Sequence, residues 1–225
     1  MTTASELIDT IREDLAGLSQ RIRNHPYVRA LATGRIPREK LRLFAGEQYH
    51  IIKNDVRSFS LLLSRQEDHE VRRFFLDSVP YEAAALDALL DFAAALGMSA
   101  ADLEAYEPLP GAHAYTAFLA LTAVHGSAAE MAGAFVIDMD GWGGNCREMS
   151  RILRESYGFG QADVRFFDHF ATEDPTFEPR SLAVVEAGLR AGVSPAAVRR
   201  TSRLMLSYEL LYWDTLCEAS TGEGE

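Results

Sequence analysis

Apolar residues recur at steps of three and four along almost the whole chain, and no segment shows the alternation expected of a strand. Such a period places the apolar side chains of a segment on one face of an α-helix. Glycine and proline residues divide the pattern into about eight or nine segments, the first over roughly residues 5–24 and the last over roughly 195–219. The sequence therefore predicts one all-α domain, a helical bundle over residues 1–225, in which residues 219–225 form a frayed tail.

Proline and glycine residues also indicate where single helices begin, bend or end. Pro37 suits the first turn of a long helix that runs to about residue 65, because a missing N–H costs nothing there. Pro80 falls inside the next segment, roughly residues 70–96, and is expected to kink or break it. Gly141, Gly143 and Gly144 each cost about 1 kcal/mol relative to alanine inside a helix. We therefore expect a bend or local unwinding over residues 140–145, or alternatively a plain loop between two helices.

The composition is that of an ordinary globular protein. Of 225 residues, 48% are hydrophobic and 24% are charged, which is enough for one substantial core. No apolar run is long enough to span a membrane, and the acidic, amphipathic N-terminus does not resemble a signal peptide, so a cytoplasmic location is expected. The net charge of −11 argues against a nucleic-acid partner. Cys146 and Cys217 are too few for a disulfide scaffold or a cysteine-based zinc site.

Three of the predicted helices carry a polar side chain in the middle of an apolar stripe. Gln48 and Asp55 lie two turns apart on one such face, Asp138 follows four apolar residues, and Glu209 lies among aromatic residues. A polar atom on a packed face costs a few kcal/mol unless it finds a partner. We therefore expect the three helices to surround a shared polar cavity that binds a small molecule. The alternative for each residue is a hydrogen bond within ordinary packing.

The residue types at these positions suggest acid–base chemistry. A carboxyl group among aromatic side chains has a raised pKa, so Glu209 is the candidate general acid or base. Asp138 or Asp140 would orient or polarise the substrate, and Gln48 and Asp55 would form hydrogen bonds to it. The other predicted substrate-binding residues are Trp142, Tyr208, Trp213 and Asp174.

Two pairs of residues have a spacing compatible with metal ligands. Glu47 and His50 are three residues apart, but they lie one step off the face that carries Gln48, and His169 and Glu173 are four residues apart. A ferritin-like iron site needs Glu-x-x-His on two helices and further glutamates on two others. The expectation is therefore that no metal or other cofactor is used. The alternative is iron, with Glu47, His50, His169, Glu173 and Asp174 as its ligands.

Several segments resemble one protein family over most of the chain. Residues 25–59, HPYVRALATGRIPREKLRLFAGEQYHIIKNDVRSF, resemble the start of the TenA/thiaminase II and PqqC group. The resemblance continues through AALGMSAADLEAYEP and YGFGQADVRFFDHF and ends in SYELLYWDTL. It implies the heme-oxygenase-like fold and a homo-oligomer, such as a homodimer.

Comparison of the functional positions shows where this chain departs from the group. The thiaminase aspartate falls near Gln48, and the catalytic cysteine falls near residues 138–140, where this chain has no cysteine. The C-terminal glutamate of the group matches Glu209. In the diiron oxidase branch, a His-x-x-x-Asp-x-x-His motif best matches residues 170–177, where Asp174 is kept and phenylalanine replaces both histidines.

These observations favour one function over two others. The first is a metal-independent enzyme that acts on a small nitrogen-containing or heteroaromatic metabolite, because an acidic and aromatic pocket suits a cationic or amine-bearing ligand. The second is a diiron oxidase or oxygenase with an atypical ligand set. The third is a non-catalytic protein that binds a small molecule. None of the three is expected to bind nucleic acid or a membrane.

Overall fold

The computed structural model describes residues 2–222, and within this range it contains ten α-helices, one 3₁₀ turn and no strand. Within the same range, no helix combines the length and apolar character needed to cross a bilayer. The elements are α1 (Ala4–Arg23), α2 (Pro26–Ala32), a 3₁₀ turn (Arg38–Lys40), α3 (Leu41–Ser64), α4 (His69–Ala95), α5 (Ala100–Glu104), α6 (Pro110–His125), α7 (Ala128–Tyr157), α8 (Arg165–Ala171), α9 (Phe177–Arg190) and α10 (Pro195–Thr221).

Short polar side chains fix the first turns of several helices. Thr3, Ser99 and Ser127 each accept a hydrogen bond from the backbone three residues on, and the acid at that position bonds back to the cap. These reciprocal bonds satisfy N–H groups that a helix start otherwise leaves unpaired. At the other end of the chain, α10 runs to Thr221 and is capped by Gly222 in the left-handed conformation. Residues 219–221 are therefore helical rather than frayed, whereas residues 223–225 of the predicted tail lie outside the described residues.

The predicted start of α3 at Pro37 and the predicted break of α4 at Pro80 need correction. Pro37 precedes the 3₁₀ turn as its cap, so the long helix α3 begins only at Leu41. Pro80 does not break α4, which is continuous from His69 to Ala95. The buried face of α4 includes Phe75 before the proline and Ala85 after it. Packing of this face against α3, α8 and α9 keeps the helix intact despite the missing hydrogen bond.

The predicted unwinding over residues 140–145 is also wrong, since α7 runs without interruption from Ala128 to Tyr157. Two of the glycines are needed for close packing. A Cβ on Gly141 would lie 3.1 Å from Ile22 of α1, and one on Gly143 would lie 3.0 Å from the carbonyl oxygen of Phe170 in α8. The helix therefore accepts the propensity cost because α1 and α8 approach it closely here.

Helix α7 lies at the centre of the bundle, where it packs against α1, α8, α9 and α10. Helix α3 packs against α4 and α6, and α10 packs against α6 as well as α7. The polar residues singled out in the sequence lie on α3, α7 and α10, so this arrangement directs them toward a common interior region.

Candidate functional site

A cavity with about 460 Å³ of space between atoms, part of which is open to solvent, lies between α3, α4, α6, α7, α8 and α10. Four of the predicted polar residues, Gln48, Asp55, Asp138 and Glu209, line it together with Trp142. Five aromatic side chains contribute to its wall. The complete lining consists of Gln48, Ile51, Ile52, Asp55, Glu82, Tyr115, Phe135, Asp138, Met139, Trp142, Phe170, Glu209 and Tyr212.

The cavity contains four buried carboxyl groups and no counter-charge. Asp55, Glu82, Asp138 and Glu209 are between 3% and 5% exposed, and no lysine, arginine or histidine is among the described residues of the wall. Asp55 Oδ1 and Glu82 Oε2 receive no hydrogen bond, and Asp138 Oδ1 and Glu209 Oε2 have no partner other than the opposing carboxyl group. A buried charge without a partner is strongly destabilising. The site therefore tends either to retain protons or to bind a cation.

Glu209 and Asp138 form one hydrogen-bonded pair. The indole Nε1 of Trp213 donates to Glu209 Oε1 at 3.1 Å, and the hydroxyl of Tyr115 donates to Asp138 Oδ2 at 3.2 Å. Burial, followed by the charge of Asp138, raises the pKa of Glu209 well above its usual range. Burial raises the pKa of Asp138 only to about 6, because the bonds from Glu209 and Tyr115 favour its charged form. Near neutral pH, Glu209 therefore holds a proton beside an ionised Asp138.

Asp55 and Glu82 are the other two acids, and they project from the packed helices α3 and α4. Burial raises the pKa of Glu82 to about 8. The pKa of Asp55 is also raised well above its usual range, first by burial and then by the charges of Glu82 and Asp138. A hydrogen bond from the Asn54 side chain opposes this rise. Both groups therefore favour the neutral form in the empty cavity.

Aromatic rings close the cavity around these acids. Trp142 lies 5.8 Å from Phe170 and 6.5 Å from Tyr212, measured between ring centroids. The Tyr212 hydroxyl accepts a hydrogen bond of 2.9 Å from the Gln48 amide. This hydrogen bond fixes the Gln48 side chain, which forms part of the cavity wall.

A larger cleft adjoins the cavity on the side of α4, α7 and the segment that joins α8 to α9. The two spaces share four lining residues: Glu82, Phe135, Met139 and Phe170. Phe135, Met139 and Phe170 thus form an apolar boundary between the cavity and the cleft, and Glu82 is the acid that faces both.

Four of the predicted site residues do not line the cavity. Asp140 lies in the outer cleft, where Arg12 Nε contacts its Oδ2 at 3.1 Å, because two steps along an α-helix turn a side chain by about 200° from Asp138. Asp174 also lies in the cleft and accepts hydrogen bonds from Thr176.

The other two are aromatic residues of α10. Trp213 is fully buried behind Glu209. It orients the Glu209 carboxyl group through a hydrogen bond and does not form part of the cavity wall. The Tyr208 ring packs against Phe118, with 5.1 Å between the ring centroids, and is not part of the cavity wall. The prediction that these two residues form walls is therefore wrong, although Trp213 still acts on the site through its hydrogen bond.

The five residues predicted as iron ligands are not brought together. Glu47 Oε1 accepts from the Tyr106 hydroxyl and from the backbone N–H of Leu109, both at 2.8 Å, and His50 bonds to the Tyr106 carbonyl oxygen. These partners, Tyr106 and Leu109, lie in the segment between α5 and α6. By contrast, His169, Glu173 and Asp174 lie in or beside α8. Over residues 2–222 no three His, Cys, Asp or Glu side chains are grouped so that they could hold a metal ion, so the predicted ligands do not fit iron.

Eight of the thirteen lining residues were not predicted as site residues, and three of these are instructive: Glu82, Tyr115 and Phe170. Glu82 interrupts an apolar stripe of α4 just as Asp138 does on α7, but the proline two residues earlier hid the continuity of the helix. Tyr115 lies on α6, whose composition is apolar on most faces, so no period distinguishes its buried side. Phe170 was considered only as a replaced metal ligand. Of the three, Glu82 alone had a usable sequence signal.

Comparisons with known proteins show the family to which the chain belongs. A model of the TENA/THI-4/PQQC family matches residues 12–219. The TenA homologue from P. horikoshii OT3 superposes with a TM-score of 0.77 at 16% identity, over 95% of this chain and 99% of that one. A TenA homologue from Pseudomonas syringae pv. tomato gives a TM-score of 0.78 at 14% identity, over 95% of this chain and 94% of that one.

Two further similarities bear on fold and chemistry. A heme-oxygenase-like protein from Shewanella denitrificans gives a TM-score of 0.74 at 15% identity, covering 94% of this chain and 90% of that one. The predicted all-α, heme-oxygenase-like fold is thus confirmed. The 4-aminobenzoate synthase of Chlamydia muridarum is 33% identical over 97 residues, which span only 41% of this chain and 41% of that relative.

Proposed function

The chain belongs to the TENA/THI-4/PQQC family, and from this premise we propose that it is a metal-independent enzyme acting on a small amine-bearing or heteroaromatic compound. Membership of the family suggests a thiaminase-II-like enzyme or a related activity. The proposal adds the location of the substrate, which is the cavity lined by Gln48, Asp55, Asp138 and Glu209.

One observation carries the proposal: four buried carboxyl groups face one cavity whose described wall contains no cationic side chain. Removing these acids from water costs folding free energy that no cationic side chain of the described wall offsets. A ligand with a basic nitrogen supplies the missing partner, and the surrounding rings favour a flat or cationic body. A carboxylic acid or phosphate as the ligand would add to the repulsion instead.

The chemistry follows from the unequal proton affinities of Glu209 and Asp138. Glu209, which holds its proton near neutral pH, would donate it to a nitrogen atom of the substrate as a bond to that nitrogen breaks. Asp138, ionised above about pH 6, would accept a proton from the attacking water. Trp213 and Tyr115 hold the two carboxyl groups in position through one hydrogen bond each.

The same arrangement supports a reaction without a cysteine nucleophile. Asp138 lies where the resemblance to thiaminases would place the catalytic cysteine. Cys146 is fully buried and, like Cys217, is not part of the cavity wall.

The test uses Glu209→Gln, with Glu13→Gln on the exposed face of α1 as the matched control. Thiamine, aminopyrimidines and aminopyridines are incubated with each protein, and release of amine or ammonia is measured. We expect turnover of at least one compound by the wild type and the control, and a loss of about 10²-fold or more in Glu209→Gln with an unchanged circular-dichroism spectrum. Equal turnover in Glu209→Gln would contradict the assigned role. Ligand-induced stabilisation without turnover in the wild type would support the non-catalytic alternative instead.

We also propose that the protein is a cytoplasmic homo-oligomer. Leu121 and Val124 of α6 and Leu211 of α10 are 56%, 50% and 40% exposed, respectively, and α6 packs directly on α10. Exposed apolar residues on neighbouring helices support a contact with a second copy. Light scattering coupled to size-exclusion chromatography should give a mass of at least twice 24.9 kDa, and a monomer mass at micromolar concentration would contradict this.

A further inference from the structure

The four carboxyl groups of the cavity form two pairs that adjoin each other. Glu209 and Asp138 are in hydrogen-bond contact across α10 and α7. The charge of Glu82 on α4 acts on Asp55 of α3, and the charge of Asp138 acts on Asp55 as well. One pair therefore lies on the packed helices α7 and α10, and the other lies on the packed helices α3 and α4. Glu82 belongs to the second pair and also faces the outer cleft.

The two pairs differ in what the protein supplies to them. The first pair receives hydrogen bonds from Trp213 and Tyr115. The second pair receives only the bond from the Asn54 side chain to Asp55. Asp55 Oδ1 and Glu82 Oε2 are fully buried and have no hydrogen-bond partner. A ligand with a single nitrogen held by Glu209 and Asp138 would leave both of these oxygens unpaired.

We propose, on the basis of the proposed function, that the cavity binds a ligand with two separate basic nitrogens, one at Glu209 and Asp138 and the other at Asp55 and Glu82. The body between the two nitrogens is apolar and flat, because Ile52, Phe135 and Trp142 contribute apolar wall beside the acids. The nitrogen at Glu82 lies at the end next to the cleft, so the ligand enters from that side with its reacting nitrogen first.

Two commercially available amines test this directly. Benzylamine carries one basic nitrogen, and p-xylylenediamine carries a second one at the opposite end of the same ring. Isothermal titration at pH 7 with the wild-type protein should show that p-xylylenediamine binds about tenfold or more tightly than benzylamine, as expected for one additional charge-assisted contact. Equal affinities would overturn the inference and leave the proposed function standing. If neither amine binds, the proposed function itself fails.

Isosteric variants assign the second contact to its residues. In Glu82→Gln and in Asp55→Asn the preference for the diamine over benzylamine should fall to threefold or less. Asp138→Asn should weaken both amines, and Glu13→Gln should change neither. A Glu82→Gln variant that keeps the full preference, or loses benzylamine affinity to the same extent, would overturn the inference. Melting curves of each variant establish that it is folded.

Proton counting gives an independent measurement. Glu82 is mostly protonated at pH 7, and so is the second nitrogen of the free diamine. Only one proton can remain between them after binding, whichever atom holds it. Titrations in buffers of different ionisation enthalpy should therefore show close to one more proton released with p-xylylenediamine than with benzylamine, and no such difference in a variant that carries both Asp55→Asn and Glu82→Gln. An equal release for both amines in the wild type would contradict a contact at Glu82.

Discussion

Glu82→Gln should stabilise the ligand-free protein, and the gain should grow as the pH rises. The pKa of Glu82 is about 8 in the folded protein, against 4.5 for a free glutamate. Between these two values the folded protein keeps the proton and the unfolded chain loses it. The stability associated with the neutral carboxyl is therefore fully present below about pH 4.5 and is lost as the pH rises through 8. Glutamine keeps the shape of the neutral acid and has no proton to lose.

The size of the effect follows from the same two pKa values. Each pH unit between them changes the free energy of unfolding by about 1.4 kcal/mol. The pKa of glutamate in the unfolded chain, 4.5, lies 2.5 pH units below pH 7. At pH 7 the Glu82 carboxyl therefore lowers the free energy of unfolding of the wild type by an amount of the order of 3 kcal/mol. Loss of the Glu82 charge also removes the repulsion that raises the pKa of Asp55, which acts in the same direction.

Urea unfolding at pH 5, 6, 7 and 8 measures this effect. The urea concentration at the unfolding midpoint should be higher for Glu82→Gln than for the wild type, and the difference should grow with each step to about pH 8. At pH 7 the difference should be about 1 M for a slope of 2–3 kcal/mol per molar urea. Glu13→Gln should follow the wild type throughout. A separation that is the same at pH 5 and pH 8 would refute the reasoning, since it would mean that the Glu82 carboxyl titrates alike in the folded and unfolded states.

Two further predictions concern α7 and its partner on α6. Gly144→Ala should raise the free energy of unfolding by up to about 1 kcal/mol, because nothing lies within 4 Å of the added Cβ. Gly143→Ala should lower it, because its Cβ meets the Phe170 carbonyl oxygen. Denaturant unfolding measures both variants, and a change in the same direction for both would contradict this prediction. Tyr115→Phe removes a hydrogen bond that lowers the pKa of Asp138, so the acid limb of the pH–rate profile should move above about pH 6, and an unmoved limb would exclude Asp138 as the base.

The helical class and most of the helix positions were predictable from the sequence because they depend on local signals. Ser99 and Ser127, for example, each cap a helix, since a short polar side chain before an apolar period acts within one turn. The errors arose where packing overrode local preference. Pro80 and the glycines of α7 are unfavourable in an isolated helix, but here they lie in helices that pack against several others. The sequence of α7 alone does not show that α1 and α8 pack closely against Gly141 and Gly143, and this packing explains why the helix tolerates both glycines.

The candidate site was predictable only where an acid interrupts a period on a helix that the sequence defines well. Asp138 and Glu209 meet that condition, and both line the cavity. Asp140 was chosen because it lies near Asp138 in sequence, yet the helical rotation places it beside Arg12 in the outer cleft. Tyr115 could not be found, because its only distinguishing property is the Asp138 carboxyl that it bonds across the bundle.

The energetics of the cavity also explain why these acids are informative about function. Amides at Asp55 and Glu82 would fill the same space without the penalty that the carboxyl groups impose above pH 5, so folding alone favours the amides. Natural proteins keep such destabilising groups where binding or catalysis requires them. A cationic ligand reverses the balance, because it lowers the pKa values of the acids it contacts and converts their repulsion into attraction. The destabilisation of the empty protein and the affinity for a basic ligand therefore arise from the same charges, and a substitution that raises one should lower the other.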